Sequence, residues 1–278
     1  MPLPQTLGRW RLLTPEGQES RMGILRGVDP QDGRIVAIKT LPFYLREREE
    51  RCARIARLRH ETTMAARLSH PNIVKLIDHG EEGGIPYLVL DWYPGATLRD
   101  LITKGPRPGP IRALELLRQT LSGLEHIHAS GLAHGDLKPA NLLLTPEGDI
   151  RITDFGAARQ LASCGEAPAP ALVTGTHGYM PPEQLMGQKI DRRADLFAAG
   201  VILHELLFGR KPFTGADPWE ITQQILTAAP IQPVPGDPHL PPPLIAVLQK
   251  ALAKRPRDRF QSATEFLNSL HAATASTN

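Results

Sequence analysis

The chain has 278 residues, of which 41% are hydrophobic and 22% charged, and its formal net charge is +3. This length can bury the core of one large domain or of two lobes, and the small net charge gives no reason to expect a nucleic-acid partner or membrane attachment. Two cysteines are too few for a disulfide framework and fit a reducing compartment, so we expect a cytoplasmic protein without a signal core or membrane span.

The predicted elements change in character along the chain. The first part has apolar, strand-like runs around one charged helix. The predicted strands are Ile35 to Lys39, Ile73 to Asp78 and Tyr87 to Leu90, and the helix is Leu45 to Leu68. After Gly95 the pattern favours helices, with one strand at Leu142 to Leu144. The predicted helices are Leu98 to Ile102, Arg112 to Ser130, Arg193 to Leu207, Pro218 to Ala228, Pro243 to Lys254 and Ala263 to Ala272. Two such parts predict two lobes with a ligand cleft between them.

Two charged residues of the first part have both an ordinary and a functional interpretation. Lys39 ends the apolar strand Val-Ala-Ile-Lys, where a lysine is most often a solvated strand end. Glu61 lies 22 residues later on the basic helix, and by itself it is one more acid on a charged surface. Neither residue alone indicates a site.

A loop between a predicted helix and strand is more specific. It has the sequence His-Gly-Asp-Leu-Lys-Pro-Ala-Asn and contains Asp136, Lys138 and Asn141 within six residues. Such a run of polar residues is poor material for a core. Asp154, followed by Phe and Gly, comes 18 residues after Asp136 at another predicted strand end.

The order and spacing of these residues resemble the protein kinase family, from about Trp10 to Phe266. The matching residues are Lys39, Glu61, Asp136 with Asn141, Asp154-Phe155-Gly156, Met180-Pro181-Pro182-Glu183, Asp195 and Arg259. The resemblance implies a bilobal α+β protein kinase fold. Its small lobe, a five-stranded antiparallel sheet with one main helix, would span 1–92. The larger helical lobe would span 93–270, followed by a C-terminal tail at 271–278.

The resemblance further implies ATP- and magnesium-dependent phosphorylation of Ser or Thr hydroxyls on proteins, most like the bacterial Ser/Thr kinases. Asp136 would be the catalytic base, and Lys138 would stabilise the transferring phosphoryl group. Asn141 and Asp154 would be ligands of Mg²⁺, with Mn²⁺ as the other suitable ion. The partner would be a protein substrate, and a homodimer is left open.

Nucleotide-binding residues follow from the same resemblance. Lys39 would hold the α- and β-phosphates of ATP and would itself be held by Glu61. The adenine would lie between the lobes, with a gatekeeper side chain behind it, two walls, and backbone groups at its edge. These residues would be Leu90 as gatekeeper, Ala37 and Leu143 as walls, and Asp91 and Tyr93 at the edge.

The glycine-rich phosphate loop departs from the family pattern. An alignment without gaps places Gly17, Glu19 and Met22 at its three glycine positions. A shift of one residue places Gln18, Ser20 and Gly23 there instead. Because a carboxylate in such a loop repels phosphate, the alternative is a pseudokinase or scaffolding domain with weakened nucleotide binding.

A second departure is Gly135, where the family usually has Arg before the catalytic Asp. His-Gly-Asp also resembles small-molecule phosphotransferases of the aminoglycoside type, which are the less favoured alternative. Lys138 and the segment from Gly175 to Glu183 resemble the Ser/Thr protein kinases instead. The resemblance also implies a buried structural pair between Glu183 and Arg259.

Two further features bear on architecture and partners. By the same resemblance, Asp195 would anchor the backbone of the catalytic loop. The Arg-rich stretch from Arg46 to Arg59 has two interpretations, a surface for an acidic partner or a solvated helix face, and the second is favoured.

Overall fold

The computed structural model describes residues 5–13, 23–41, 48–161, 177–230 and 240–275. The chain divides into two compact units, Met1–Pro94 with Asp154–Ala157, and Gly95–Thr153 with Ala158–Asn278. Antiparallel sheet and helix occur together, which confirms the predicted α+β class. Within the described ranges, none of the helices is long and apolar enough to cross a membrane.

The first unit is built on an antiparallel sheet. Its strands in the described residues are β1 Thr6–Leu7, β2 Trp10–Leu12, β3 Ile24–Val28, β4 Ile35–Lys39, β5 Leu76–Glu82 and β6 Ile85–Asp91. Their order in the sheet is β1-β2-β3-β4-β6-β5. The sheet thus has six strands where five were predicted, because the two-residue β1 adds to its edge by pairing Leu7 with Trp10.

Strand β4 shows how the alternation of side chains serves both core and site. Val36 and Ile38 are completely buried in the core of the first unit, whereas Ala37 and Lys39 lie on the opposite face of the sheet. Leu90 of β6 stands directly opposite Ala37. The core cluster consists of Leu7, Trp10, Leu25, Val36, Ile38, Tyr87 and Val89.

Helix α1, Arg48–Ala65, completes the first unit. Its buried residues include Leu58, Glu61 and Met64, and this spacing of three places them on one face. Glu61 is only 2% exposed, so its carboxylate requires a partner. The helix was predicted from Leu45 to Leu68; residues 42–47 lie outside the described part of the chain.

Strand β5 lies further along the chain than predicted. Ile73 and Val74 are buried, but a turn from His70 precedes them and the strand itself begins at Leu76. Its polar second half pairs with β6 through a hairpin whose loop residues, Gly83 and Gly84, have φ of 57° and 76°. Glycine tolerates this left-handed conformation, and backbone pairing rather than apolar side chains extends the strand.

The second unit is mainly helical. Its helices in the described residues are α2 Leu98–Lys104, α3 Pro110–Ala129, α4 Pro182–Leu185, α5 Arg192–Phe208, α6 Pro218–Thr227, α7 Pro242–Ala251 and α8 Ala263–Ala275. Short strands form two small sheets, and they are β7 Ala96–Thr97, β8 Leu132–Ala133, β9 Leu142–Leu144, β10 Ile150–Ile152 and β11 Arg159–Gln160. The predicted helices are found, with their ends moved by up to three residues.

Helix α5 is the centre of the second unit. Most of its residues are buried, and it packs against α3 and α7. The Asp191 side chain accepts from the Arg193 N–H at its start, and Gly209, with φ 68°, ends it. A helix buried all round can hold polar side chains, such as Asp195, at fixed points inside the unit.

Candidate active site

Lys39, Glu61 and Asp154 come together inside the first unit. The Lys39 Nζ lies 2.7 and 2.8 Å from the two carboxylate oxygens of Glu61 and 3.1 Å from Asp154 Oδ1. Strand β4, helix α1 and the segment Asp154–Ala157 each supply one member. The lysine ammonium is therefore fixed in position by two carboxylates, as a phosphate-binding group requires.

Asp154 has an unusual backbone. Its φ is 66°, the single positive value of a non-glycine residue in the described ranges. The Gly156 N–H donates to Asp154 Oδ1 at 3.4 Å, and Arg57 of α1 lies 3.7 Å from the same oxygen. Such a conformation is costly for a residue with a side chain, and it is common at functional sites.

Neighbouring carboxylates keep Lys39 in its protonated, positively charged form. Burial by itself lowers the pKa of Lys39, but the carboxylates of Glu61 and Asp154 outweigh it and raise the pKa above the usual lysine value. The side chain is thus protonated across the physiological range, ready to pair with an anion.

The predicted adenine-binding residues fall in both units. Ala37 and Leu90 are neighbours across β4 and β6 of the first unit, on the same face as Lys39. Leu143, on β9, belongs to the second unit and is partly buried. Leu90 is 9% exposed, so its environment also suits ordinary core packing.

Asp91 is tied to its surroundings at several points. Its backbone N–H donates to the Lys75 carbonyl at 3.0 Å. Its carboxylate pairs with Arg34 and accepts from the Tyr93 hydroxyl at 3.4 Å. The N–H of Asp91 is therefore engaged with the residue just before β5.

Asp136 lies in the second unit with Lys138 and Asn141 beside it. The Lys138 Nζ is 2.6 Å from Asp136 Oδ2. The Asn141 Nδ2 donates to the Asp136 carbonyl at 2.8 Å and lies 3.4 Å from Asp136 Oδ2. Pro139–Asn141 forms one helical turn, which brings Asn141 back over the residue five positions earlier. The three polar residues of the loop thus form one cluster.

Asp195 of α5 anchors the backbone of the same loop through hydrogen bonds. Its Oδ2 accepts the His134 N–H at 2.8 Å, and its Oδ1 accepts the Gly135 N–H at 2.9 Å. The His128 Nε2 also lies 2.9 Å from Oδ2. The predicted anchoring of the loop backbone by Asp195 is confirmed, and the helix that carries it is the most buried of the second unit.

Gly135 has a conformational reason to be glycine. Its φ is 75°, a value that residues with a side chain rarely adopt. The departure from the family's usual Arg therefore places an unstrained residue just before Asp136.

Asp154 of the first unit and Asn141 of the second each carry a side-chain oxygen. Asp154 offers a carboxylate and Asn141 an amide whose nitrogen already donates to Asp136, so the amide oxygen is the atom available to a cation. These are hard oxygen ligands, which Mg²⁺ prefers. Among the described residues no group of three or more His, Cys, Asp or Glu could hold a metal ion.

Glu183 and Arg259 form a buried ion pair. Both guanidinium Nη atoms lie 2.7 Å from the Glu183 carboxylate oxygens, and Arg259 is 1% exposed. The predicted structural pair is confirmed. It holds the segment after Met180 against the core of the second unit.

The charge of Asp195 leads to a pH prediction. Burial raises the pKa of Asp195, but the hydrogen bond from His128, the neighbouring histidines and the Gly135 N–H outweigh it and lower the pKa below 3.8. A depressed pKa adds stability at pH above 3.8, and this stability disappears as the pH falls through the folded-state value.

We expect Asp195→Asn to lower the free energy of unfolding by about 2–3 kcal/mol at neutral pH, because charge-assisted hydrogen bonds are lost. Urea unfolding of the parent and the variant at pH 7, 5 and 3 measures this change in the free energy of unfolding. The difference from the parent should be the same at pH 7 and 5 and smaller at pH 3. A difference that grows at pH 3 would contradict this.

Sequence reasoning missed several contacts of the site. His128 at Asp195, Arg57 at Asp154 and Arg34 at Asp91 join residues far apart in the chain, and no local pattern indicates them. Gly17, Glu19 and Met22 of the gapless phosphate-loop alignment lie outside the described part of the chain, whereas Gly23 of the shifted alignment lies within it, with φ 75°.

A family model and individual relatives both match this chain, and they agree on the protein family. The family model described as "Protein kinase domain" matches residues 16–271. A probable serine/threonine-protein kinase of Streptomyces coelicolor is 39% identical over 263 residues, covering 93% of this chain and 39% of the relative. The serine/threonine-protein kinase PknB of Mycobacterium leprae is 39% identical over 214 residues, covering 75% of this chain and 34% of the relative. A probable PknB of Bifidobacterium longum is 32% identical and covers 96% and 40%. The chain therefore spans less than half the length of these relatives.

Proposed function

This chain belongs to the protein kinase family, as a Ser/Thr protein kinase catalytic domain of the bacterial type, and on that premise we propose that it transfers the γ-phosphoryl group of ATP to Ser or Thr hydroxyls of proteins. The observation that carries the proposal is the Lys39 ammonium, bonded to both oxygens of Glu61 and to Asp154. A lysine held in this way is typical of a group that positions phosphates.

Asp136 would act on the acceptor. Its carboxylate would accept a hydrogen bond from the substrate hydroxyl and take the proton as that oxygen bonds to the γ-phosphorus. The bond from the γ-phosphorus to the bridging oxygen breaks in the same step, and ADP leaves. Lys138, 2.6 Å from that carboxylate, can place its charge beside the phosphoryl oxygens, where negative charge develops. Asn141 and Asp195 keep the loop that carries Asp136 in one conformation.

Nucleotide binding would use the residues that correspond to the family's ATP-binding positions. Lys39 holds the α- and β-phosphates and Glu61 holds Lys39. Gly17 would contribute to the phosphate loop, as in the alignment without gaps. The proposed adenine site consists of five other residues. The five are Ala37, Leu90, Asp91, Tyr93 and Leu143.

Asn141 and Asp154 would hold Mg²⁺, or Mn²⁺ in its place, through their side-chain oxygens. The ion would neutralise phosphate charge when bound. In this proposal each residue supplies a side-chain oxygen, and the Gly156 N–H and the Asp136 carbonyl hold the two side chains by hydrogen bonds.

The two alternative functions have less support. A pseudokinase would not need the Lys39–Glu61 pair or the cluster around Asp136, and this chain has both. A small-molecule phosphotransferase does not account for relatives named as Ser/Thr protein kinases. The cytoplasmic location, the homodimer and the lobe boundary at 92 and 93 stay predictions.

The test is phosphoryl transfer from labelled ATP, with Mg²⁺, to a generic acceptor protein. We expect activity in the parent and a loss of about 10²–10³ in Lys39→Ala, because one preorganised cation at the phosphates is removed. The control is Lys75→Ala, since Lys75 is an exposed lysine of the same unit.

Lys75→Ala should keep the parent rate. A parent protein that binds ATP but transfers nothing to any acceptor would favour the pseudokinase. Equal activity of Lys39→Ala and the parent would remove Lys39 from the site.

A further inference from the structure

Gln184 makes a contact with the catalytic loop that none of the motifs accounts for. Its side-chain Nε2 donates to the Gly135 carbonyl at 3.0 Å. A carbonyl oxygen only accepts hydrogen bonds, so the amide nitrogen must be the atom that faces it. Gly135 is buried and Gln184 is partly buried, which shields the bond from competing water.

The bond acts on the peptide unit directly before Asp136. The carbonyl of that unit belongs to Gly135 and accepts from Gln184. Its N–H belongs to Asp136 and donates to the His134 Nδ1 at 3.3 Å. The preceding N–H, that of Gly135, donates to Asp195 at 2.9 Å. Both ends of this peptide are therefore held, and its plane sets the direction in which the Asp136 side chain leaves the backbone.

Gln184 directly follows a residue that is held by a buried ion pair. The residue before it, Glu183, is bonded at both carboxylate oxygens to Arg259, which is buried. The short helix Pro182–Leu185 follows directly on Pro181 and adds its own turn of backbone hydrogen bonds. Because the backbone of Gln184 is fixed in this way, its side chain can hold the Gly135 carbonyl in one place.

The contact matters because Gly135 is the flexible member of the loop. With φ at 75° and without a Cβ, its backbone has more freedom than any other residue type would have. Gln184 and Asp136 also line one small pocket together with Leu137 and Pro181, so the two segments lie side by side here.

We propose that Gln184 is a positioning residue, which holds the Gly135–Asp136 peptide so that the Asp136 carboxylate faces the acceptor hydroxyl. This inference rests on the proposed function, in which Asp136 is the base. In this role Gln184 acts on Asp136 through the loop, by its hydrogen bond to the Gly135 carbonyl.

The first test compares two variants with the parent. We expect Gln184→Ala to lower kcat about tenfold, with KM for ATP within about twofold, since small displacements of a catalytic group cost rate rather than nucleotide binding. Gln184→Glu keeps the shape but places an oxygen against the carbonyl, so its kcat should fall at least as far. The matched control is Gln188→Ala, an exposed glutamine on the same segment, which should keep the parent kcat.

A purely structural role is separated by folding and exchange measurements. Thermal unfolding of each variant shows whether the loss of kcat reflects unfolded protein. Amide hydrogen exchange should become faster at Gly135 and Asp136 in Gln184→Glu, and remain unchanged at the Arg259 end of the unit. Parent-like kcat in Gln184→Glu would overturn the inference, because packing alone would then explain the residue.

The second test is a double variant, and it separates failure of this inference from failure of the proposed function. If Gln184 acts only through Asp136, then Gln184→Ala should cost no further rate once Asp136→Asn is in place. Independent, multiplying losses would overturn the inference while leaving Asp136 as the base. Full activity in Asp136→Asn alone would instead contradict the proposed function.

Discussion

Replacing Asp136 with Asn should lower kcat by about 10²–10⁴, the usual contribution of a positioned acid or base. The amide keeps the size of the side chain and can still accept the Lys138 hydrogen bond, which is 2.6 Å long in the parent. It cannot take the proton from the acceptor hydroxyl. The loop should stay folded, since Asp195 holds it through backbone N–H groups rather than through the Asp136 side chain.

The measurement is steady-state transfer from ATP to one acceptor protein, together with ATP binding by calorimetry. ATP affinity should change by no more than a few-fold. Asp258→Asn, an exposed aspartate in the second unit, is the control for loss of a carboxylate and should behave as the parent does. More than half the parent activity in Asp136→Asn would exclude Asp136 as the base.

The second large effect concerns stability. Arg259→Ala should lower the free energy of unfolding by about 3–5 kcal/mol, because it leaves the Glu183 carboxylate buried without its partner. Glu183 is only 4% exposed, and both of its oxygens bond to the guanidinium at 2.7 Å. Arg259 also donates to the carbonyls of Ala253 and Lys254, which would lose those bonds.

Chemical denaturation at neutral pH measures the change. Arg257→Ala removes an exposed arginine two residues away and should stay within about 0.5 kcal/mol of the parent. Replacing the pair together, Arg259→Met with Glu183→Leu, should cost less than Arg259→Ala, because no uncompensated charge remains. A loss below about 1 kcal/mol in Arg259→Ala would show that water reaches Glu183.

Much of the local architecture could be predicted from the sequence. The apolar run from Ile35 to Lys39 predicts strand β4, and the structure has the strand with these bounds. The residues of the loop from Asp136 to Asn141 are close in the chain, so one helical turn is enough to bring them together. The division into a strand-rich first part and a helical second part follows from the same periodicities.

Other features could not be predicted, because they depend on hydrogen bonds between segments distant in the chain. The polar half of β5 is a strand because β6 lies beside it, and no apolar pattern marks it.

The sequence by itself determined the identity and order of the candidate catalytic groups, since these depend on residue type and on short spacings. The tertiary structure alone decided how they are held. Asp195 reaches His134 across 61 residues, Gln184 reaches Gly135 across 49, and Arg259 reaches Glu183 across 76. Each of these bonds joins buried or partly buried polar atoms, which must find partners where water is excluded. The partner is chosen by how helices and loops pack, which no local window of sequence contains.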